Sequence, residues 1–306
     1  MFSIKDYKGV IPATISMFNE NEELDEQGTR ELVRFLLDRK VEGFYLCGST
    51  GEGPLMTPEE RKREVEIVME EVGDKVPVVV HVGAISTKIS IDLAQHAEKC
   101  GATGISSVPP YYYRFSEKQV LDYYTEVAAS VKIPMIAYNI ALAGLMSFDM
   151  VKKLAQIPNV AGIKYTDTLH SDIIRMKEEI GKDFIVYSGC DEMAISGLLA
   201  GADGIIGSFY NCIPDMYLEI KAAVEANDLA KAREKMRQAA CVVHFCCKTP
   251  CYFTAIREIT EIMGMKRSYC RSPFKPFSDE QRAAFRADLK AFVAEKGIEA
   301  EFVKYL

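Results

Sequence analysis

Eight short apolar runs rich in β-branched residues recur along the chain, and most of them begin at a glycine or a proline. They occupy residues 9–15, 43–47, 77–82, 104–108, 134–138, 162–165, 184–188 and 204–208. Runs that are this apolar, without a strict alternation of apolar and polar positions, are typical of parallel strands covered on both faces. The pattern therefore predicts eight buried parallel strands.

The segments between these runs carry the periodicity of amphipathic helices. Leu32, Phe35 and Leu36 form an i, i+3, i+4 stripe before the second run. Thr57 and Glu60 have the spacing of a capping box, with a proline at the first helical position. Strands that alternate with helices predict an α/β fold, either a doubly wound sheet or a (β/α)8 TIM barrel. The eight runs, and the lack of a dinucleotide-binding glycine pattern after the first, favour the barrel.

The chain becomes wholly helical after Ser208. We expect four helices there, over residues 215–226, 229–247, 251–263 and 278–296. Only the first of them is needed to complete a barrel. The sequence therefore predicts a (β/α)8 barrel over residues 1–228 and a C-terminal helical extension, packed on the barrel, over residues 229–306.

The charge balance restricts the partners of the protein. The 306 residues include 37 basic and 44 acidic side chains, for a net charge of -7. Such a balance argues against nucleic acid or an anionic membrane as the main partner. The first residues lack the apolar core of a signal peptide, and no apolar run is long enough for a membrane helix. The number of cysteines, nine, is odd, which favours a cytoplasmic protein with reduced thiols.

One group of thiols with an imidazole is a candidate metal site, and it consists of Cys241, His244, Cys246, Cys247 and Cys251. Some of these residues share a helical face, but the spacings of zinc fingers and zinc ribbons are absent. Free cysteine is also a common small core residue, so packing in a core or an interface is the favoured interpretation. Of the four histidines only His81 lies in a predicted strand, which disfavours metal-dependent chemistry. We predict neither a metal nor an organic cofactor.

Lys164 carries the most chemical information. It lies in the middle of the sixth run, where alternation places its side chain inside the barrel. An amine buried in apolar surroundings tends to lose its proton and becomes a nucleophile. The alternative is a core lysine paired with an acid. Tyr138 ends the fifth run, so neighbouring strands bring its phenol beside Lys164, where it could shuttle protons, although a lone strand tyrosine is more often a packing residue.

Other polar residues follow the strand ends, where the active sites of barrel enzymes lie. The glycine-rich segment after the second run presents Ser49 and Thr50, which could hold a carboxylate with hydroxyl and amide donors. An ordinary turn is the alternative. Asp191 and Glu192 open the seventh helix, where acids either bind substrate hydroxyls or simply favour the helix dipole. The remaining candidates at strand ends are Thr166, Gly189 and Ser208.

Four motifs occur in order along the chain: Gly48-Ser-Thr-Gly-Glu52, Pro110-Tyr-Tyr-Tyr113, Tyr138-Asn-Ile140 and Gly162-Ile-Lys-Tyr-Thr-Asp167. Together they resemble the N-acetylneuraminate lyase / dihydrodipicolinate synthase superfamily, over residues 10–276. Any one motif is weak, whereas four in register around a lysine of the sixth strand are specific. Residues 189–192 are similar to the lyase branch. The loop after the tyrosine of the fifth strand lacks the cation with which the synthase branch holds a second carboxylate.

The resemblance implies a role for each candidate residue. Lys164 would form an imine with a 2-keto acid, and Tyr138 would relay protons. Ser49 and Thr50 would bind the carboxylate of the pyruvate moiety, and Tyr112 would reach across a subunit boundary. The positions expected to contact the rest of the substrate are Thr166, Gly189, Asp191, Glu192 and Ser208. The superfamily also implies a homotetramer or a homodimer.

The function that the resemblance favours is reversible cleavage of N-acetylneuraminate, a sialic acid, to N-acetylmannosamine and pyruvate. Two alternatives stay open. One is another pyruvate-dependent aldolase of the superfamily, such as the synthase that joins pyruvate to aspartate semialdehyde. The other is a non-catalytic barrel that binds sugar acids. The loop after Tyr138 lacks the proline that is usual in both branches and is one residue shorter, so we expect a substrate channel of different shape.

Overall fold

The computed structural model describes residue 6 and residues 8–306. Its single sheet has eight parallel strands: β1 (Gly9–Pro12), β2 (Phe44–Leu46), β3 (Val78–His81), β4 (Gly104–Ser107), β5 (Met135–Ile140), β6 (Val160–Thr166), β7 (Ile185–Ser188) and β8 (Gly204–Gly207). Each strand pairs with its neighbour in sequence, β1 pairs with β8, and a bridge between Ala13 and Tyr45 joins β1 to β2. The sheet closes on itself, so the predicted (β/α)8 barrel is confirmed.

Helices follow the strands around the outside of the barrel. They are α1 (Glu26–Asp38), α2 (Pro58–Val72), α3 (Thr87–Lys99), α4 (Glu117–Ala129), α5 (Phe148–Leu154), α6 (Ser171–Arg175), α7 (Ala194–Leu199) and α8 (Pro214–Glu225). The sixth helix continues as a π-helical turn, Met176–Ile180. Short 3₁₀ turns occupy Gly53–Leu55, Ala141–Ala143, Asp191–Met193, Phe209–Asn211 and Glu301–Tyr305.

Three more helices form the C-terminal part: α9 (Leu229–Cys247), α10 (Tyr252–Ile262) and α11 (Asp279–Lys296). Their ends lie within one residue of the predicted ends. Helix α9 packs along α8 and on the 3₁₀ turn Asp191–Met193, so the extension contacts the mouth of the barrel directly. The division of the chain at residue 228 stays a prediction.

Local hydrogen bonds explain why several helices begin where they do. The side chain of Thr57 accepts from the amide of Glu60, whose carboxylate in turn accepts from the amide of Thr57. Ser116 and Gln119 form the same reciprocal box at the start of α4. Because each box satisfies amides that the helix leaves free, it stabilises its helix by about 1 kcal/mol. The predicted capping box at Thr57 is confirmed; Ser116 and Gln119 also have the sequence spacing of such a box.

The core has two layers, separated by the sheet. The larger layer lies between the strands and the helices. The smaller layer fills the barrel and includes Ile11, Tyr45, Val79, Ile136 and Ile206. Burial on both faces explains why the strands lack polar alternation.

The cysteine-rich segment does not assemble into one cluster. His244 is exposed, Cys246 is buried in the main core, and Cys251 packs beside Phe253 and Cys270. Within the described part of the chain, no three His, Cys, Asp or Glu side chains are placed to hold a metal ion. In the same residues no single helix is long and apolar enough to cross a membrane, and α9 with α10 meets that criterion only as a pair bent by 118°.

Candidate active site

A cavity of about 200 Å³ opens at the carboxyl ends of the strands. Nine of the ten predicted site residues line it: Ser49, Thr50, Tyr138, Lys164, Thr166, Gly189, Asp191, Glu192 and Ser208. The exception is Tyr112, which is 87% exposed and has a left-handed backbone with φ of 82°. Its ring packs edge-on against Tyr113 rather than into the cavity of its own chain. A role for Tyr112 at a subunit boundary stays a prediction.

Lys164 lies at the bottom of this cavity, directly opposite Tyr138 in the pairing of β5 with β6. Its side chain is buried, and Nζ lies 4.3 Å from the centre of the Tyr138 ring and 4.4 Å from that of Tyr45. Among the described residues, no carboxylate oxygen lies within 4 Å of this amine, so a core lysine paired with an acid is not what the structure contains. The arrangement favours an amine that is available to react.

Neutral aromatic groups form the surroundings of the amine. Tyr45 donates a hydrogen bond to Ser106 at 3.0 Å, and burial raises the pKa of Tyr45 far above its usual value. Burial also lowers the pKa of His81, which keeps its imidazole uncharged. Because the ring nitrogen Nε2 of His81 accepts from the amide of Val108 at 3.3 Å, the proton of that ring lies on Nδ1. The sequence did not single out Tyr45, and His81 lines an adjacent apolar cavity.

The turn after β2 presents the two predicted carboxylate-binding residues. The hydroxyl of Thr50 lies 2.7 Å from that of Ser208, which joins the ends of β2 and β8. Glu52 ends the turn with a left-handed backbone, φ 55°, and its buried carboxylate accepts from Arg257 at 2.7 Å. The amide of Arg271 donates to the same carboxylate at 2.7 Å. The C-terminal extension therefore fixes this turn.

The two acids at the end of β7 differ in their surroundings. Asp191 is buried and accepts hydrogen bonds from the amides of Ser208 at 3.2 Å and Phe209 at 2.9 Å. Burial raises the pKa of Asp191 to about 6, and these amides partly oppose the shift. Glu192 is exposed at the cavity rim. The acids lie in a 3₁₀ turn and α7 begins only at Ala194, which corrects the prediction that they open the helix. Asp191 turns inward to satisfy the amides of β8.

Thr166 contributes a hydroxyl that has no protein partner. Its Oγ1 is buried and makes no hydrogen bond within the described residues. Gly189 faces it so closely that a Cβ there would overlap with this oxygen. Because buried hydroxyls in native proteins are nearly always hydrogen-bonded, this one points to a bound group that completes it.

The extension supplies cavity residues that the sequence did not reveal. Tyr252 begins α10, and its ring stacks on Phe209 with centroids 6.1 Å apart. Cys247, near the end of α9, lines the same cavity. No spacing in the sequence relates these positions to the strand ends, because the fold alone brings them together.

The loop after β5 forms one wall of the cavity. Its 3₁₀ turn places Leu142, which is 81% exposed, at the rim beside Ile140. Asn139 holds the far side of the loop by accepting from the amide of Met146 at 2.8 Å. Among the cavity-lining residues that the structure describes, Lys164 is the only cation. The wall is therefore apolar where a second carboxylate would need a positive partner.

A (β/α)8 barrel enzyme whose cavity holds a buried lysine amine without an ion-pair partner is the class of protein that this fold and this site define. The chain belongs to the dihydrodipicolinate synthetase family, whose model matches residues 6–292. The N-acetylneuraminate lyase of Citrobacter koseri is 35% identical over 299 residues, which cover 96% of this chain and 99% of that protein.

Solved structures are similar over the same length. A catalytic lysine mutant of the sialic acid aldolase of Ruminococcus gnavus superposes with a TM-score of 0.91 at 27% identity, covering 97% of this chain and 99% of its own. The N-acetylneuraminate lyase of Mycoplasma synoviae gives 0.87 at 30% identity, covering 94% and 98%. The similarity includes the C-terminal helices as well as the barrel.

Proposed function

We propose that the protein is a Schiff-base carbon–carbon lyase that cleaves N-acetylneuraminate reversibly to N-acetylmannosamine and pyruvate. The observation that carries this proposal is the buried, unpaired amine of Lys164 beside Tyr138, in a cavity whose remaining polar groups are hydroxyls and acids. Relatives named for this activity cover nearly the whole chain. The single cation of the lining disfavours an aldehyde that carries its own carboxylate.

The reaction follows from the placement of these groups. Nζ of Lys164 attacks the 2-keto carbon of the open-chain substrate, and loss of water gives a protonated imine. Tyr138 relays the proton that leaves the C4 hydroxyl, and the C3–C4 bonding electrons move toward the imine nitrogen. The sugar aldehyde then departs and leaves an enamine. Protonation of the enamine and hydrolysis of the resulting imine release pyruvate and restore the amine.

Substrate binding is divided between the two sides of the cavity. The carboxylate binds to the turn of Ser49 and Thr50, whose residues line the same cavity as the amine and carry hydroxyl and amide donors. The hydroxylated tail of the sugar extends toward Thr166 and Glu192, and Asp191 keeps the amides at the end of β8 in place. Gly189 leaves room for the Thr166 hydroxyl, which a Cβ at this position would overlap. No metal or organic cofactor enters these steps.

The test is pyruvate release from N-acetylneuraminate by wild type and Lys164→Ala, with Lys118→Ala as a control at an exposed lysine. We expect release by wild type and the control, and none by Lys164→Ala. Reduction with borohydride in the presence of pyruvate should leave a covalent adduct on Lys164. An adduct without release would move the proposal to another aldehyde partner. Absence of an adduct would favour a barrel that only binds sugar acids.

We also propose that the enzyme works as a homodimer or homotetramer in the cytoplasm. The nine cysteines are all free thiols, which suits a reducing compartment. Tyr112 and Tyr113 expose 87% and 70% of their surface next to each other, an apolar surface suited to contact with another chain. Analytical ultracentrifugation of wild type and Tyr112→Ser measures the oligomeric state. A monomeric wild type at micromolar concentration would contradict the proposed homodimer or homotetramer.

A further inference from the structure

Glu64 is a buried acid that the proposed reaction does not use. It lies on α2 and is 1% exposed, and no Lys or Arg nitrogen in the described part of the chain approaches it within ion-pair distance. Its two carboxyl oxygens lie 2.9 and 2.8 Å from the hydroxyl of Ser16. The thiol of Cys47 lies 3.6 Å from one of them. Burying a carboxyl group without an ion-pair partner is energetically costly, so its protonation state in the folded protein has to be considered.

The hydrogen bonds around Ser16 identify the protonation state of this acid. The hydroxyl of Ser16 also lies 2.7 Å from the carbonyl oxygen of Gly51, which can only accept. If Glu64 were ionised, the single hydroxyl proton of Ser16 would face three oxygen acceptors, and among the described residues the weak thiol donor of Cys47 is the other hydrogen-bond donor to the carboxylate. If Glu64 is protonated, it donates to Ser16 and Ser16 donates to Gly51. The neutral acid therefore satisfies both the Ser16 hydroxyl and the Gly51 carbonyl, whereas the ionised acid competes with Gly51 for the proton of Ser16.

Charged groups near Glu64 are engaged elsewhere. Arg61, on the same helix, donates to the carbonyl of Gly83 at 3.0 Å. Arg257, on α10, donates to the carboxylate of Glu52 and to the carbonyl of Ser16. Burial is therefore the largest influence and raises the pKa of Glu64 to about 7. The hydrogen bonds from Ser16 and Cys47 and the charges of both arginines oppose this shift without cancelling it.

We propose that protonated Glu64 is a positioning residue that holds, through Ser16, the turn that receives the substrate carboxylate. Gly51 directly follows Thr50 in that turn, so a displaced Gly51 carbonyl moves the donors of Ser49 and Thr50. When Glu64 loses its proton, Ser16 turns its only hydrogen toward the carboxylate and releases Gly51. The inference rests on the proposed function, because that function assigns the carboxylate to this turn.

The test is the pH dependence of substrate affinity in wild type, Glu64→Gln and Glu59→Gln. The side-chain amide introduced by Glu64→Gln would donate to Ser16 at every pH, whereas Glu59 is an exposed acid on the same helix and serves as the control. Loss of one hydrogen bond corresponds to about fivefold in affinity, or about 1 kcal/mol. We expect the KM of wild type and of the control to rise about fivefold between pH ~6 and pH ~8.5. This range spans the pKa of Glu64, which is about 7. The KM of Glu64→Gln should lack this rise, and kcat should be similar in all three.

Pyruvate trapping at Lys164 in the same samples separates the possible failures. Half-saturation of the adduct by pyruvate should shift with pH as KM does, because both report the carboxylate site. A Glu64→Gln profile that follows wild type overturns the role of Glu64 while leaving the lyase proposal intact. If wild type forms no adduct, both proposals fall. Should Glu64→Gln fold poorly, Ser16→Ala tests the same chain, and a retained wild-type pH dependence there also overturns the inference.

Discussion

Two buried basic side chains, Lys164 and Arg257, differ in whether they have an ion-pair partner. Replacement by methionine should therefore affect the stability of the fold differently at the two positions. Lys164 and Arg257 are 4% and 3% exposed. Arg257 bonds to a buried carboxylate, that of Glu52, whereas Lys164 lies over two aromatic rings and has no carboxylate oxygen within 4 Å among the described residues. We expect Arg257→Met to destabilise the fold strongly and Lys164→Met to leave its stability almost unchanged.

The magnitude for Arg257 follows from what the replacement leaves behind. Glu52 is 2% exposed and would keep only the amide of Arg271 as a partner. Removing one partner of a buried pair costs about 3 to 5 kcal/mol, because the other charge stays buried and uncompensated. The carbonyl of Ser16 would lose its donor as well. For a chain of 306 residues the midpoint of thermal unfolding should fall by about 5 to 8 °C.

The change in stability expected for Lys164→Met is the difference between two effects of similar size, the loss of contacts with aromatic rings and the removal of a buried amine. The amine lies over the rings of Tyr45 and Tyr138 at 4.4 and 4.3 Å, and each contact, as a weak hydrogen bond to the face of the ring, contributes about 0.5 to 1 kcal/mol. Burying the amine without a carboxylate or a full set of acceptors opposes folding by about 1 to 3 kcal/mol. Methionine has nearly the same length and removes both terms. The net change should lie within about 1 kcal/mol of zero.

The assay is thermal unfolding of wild type and both variants near neutral pH, followed by circular dichroism. Lys164→Met should unfold near the wild-type midpoint and release no pyruvate. A fall as large as that of Arg257→Met would refute the reasoning, because Lys164 would then be a structural cation with a partner. Equal and small changes in both variants would instead show that Glu52 does not depend on its arginine.

Three further predictions concern other groups of the site and its support. Since burial raises the pKa of Asp191 from 3.8 to about 6, its contribution to stability is present at low pH and lost as the pH rises through about 6. The unfolding free energy of wild type should therefore fall relative to Asp191→Asn between pH ~4 and pH ~6 in urea titrations. Gly189→Ala should displace Thr166 and raise KM for N-acetylneuraminate at least about tenfold, with pyruvate trapping retained. The bond to Arg271 lowers the pKa of Glu60 to about 2, so Glu60→Gln should lower the unfolding free energy by about 1 to 2 kcal/mol near neutral pH and by nearly nothing near pH ~2.

Most of the fold could be predicted because its signals are local. A short apolar run indicates each strand. The capping boxes that begin at Thr57 and Ser116 involve only residues three positions apart. The helices of the extension follow in the same way from periodicity and prolines. The π-helical turn after α6 and the 3₁₀ turn at Asp191 could not be predicted, because tertiary contacts rather than propensity decide them.

The part of the site around Lys164 and Tyr138 could also be predicted from the sequence. Strand order places Tyr138 opposite Lys164, and both residues end or occupy strands that were recognised from their composition. The residues that support this part of the site from the C-terminal extension could not be predicted. The ion pair of Arg257 with Glu52 joins residues 205 positions apart, and nothing near either residue indicates the other. Tyr252 reaches the cavity for the same reason, since packing of the extension on the barrel determines its position.

The polar groups beneath the turn after β2 differ from those that face the cavity in whether they have hydrogen-bond partners within the protein. Beneath the turn after β2, the carboxylate of Glu52 is satisfied within the protein, which makes the turn stiff. Facing the cavity, the amine of Lys164 and the hydroxyl of Thr166 lack such partners, which costs stability. A ligand that completes these groups stabilises the native state by mass action. Because the amine of Lys164 and the hydroxyl of Thr166 both line the cavity, they are the groups that we expect a bound substrate to complete.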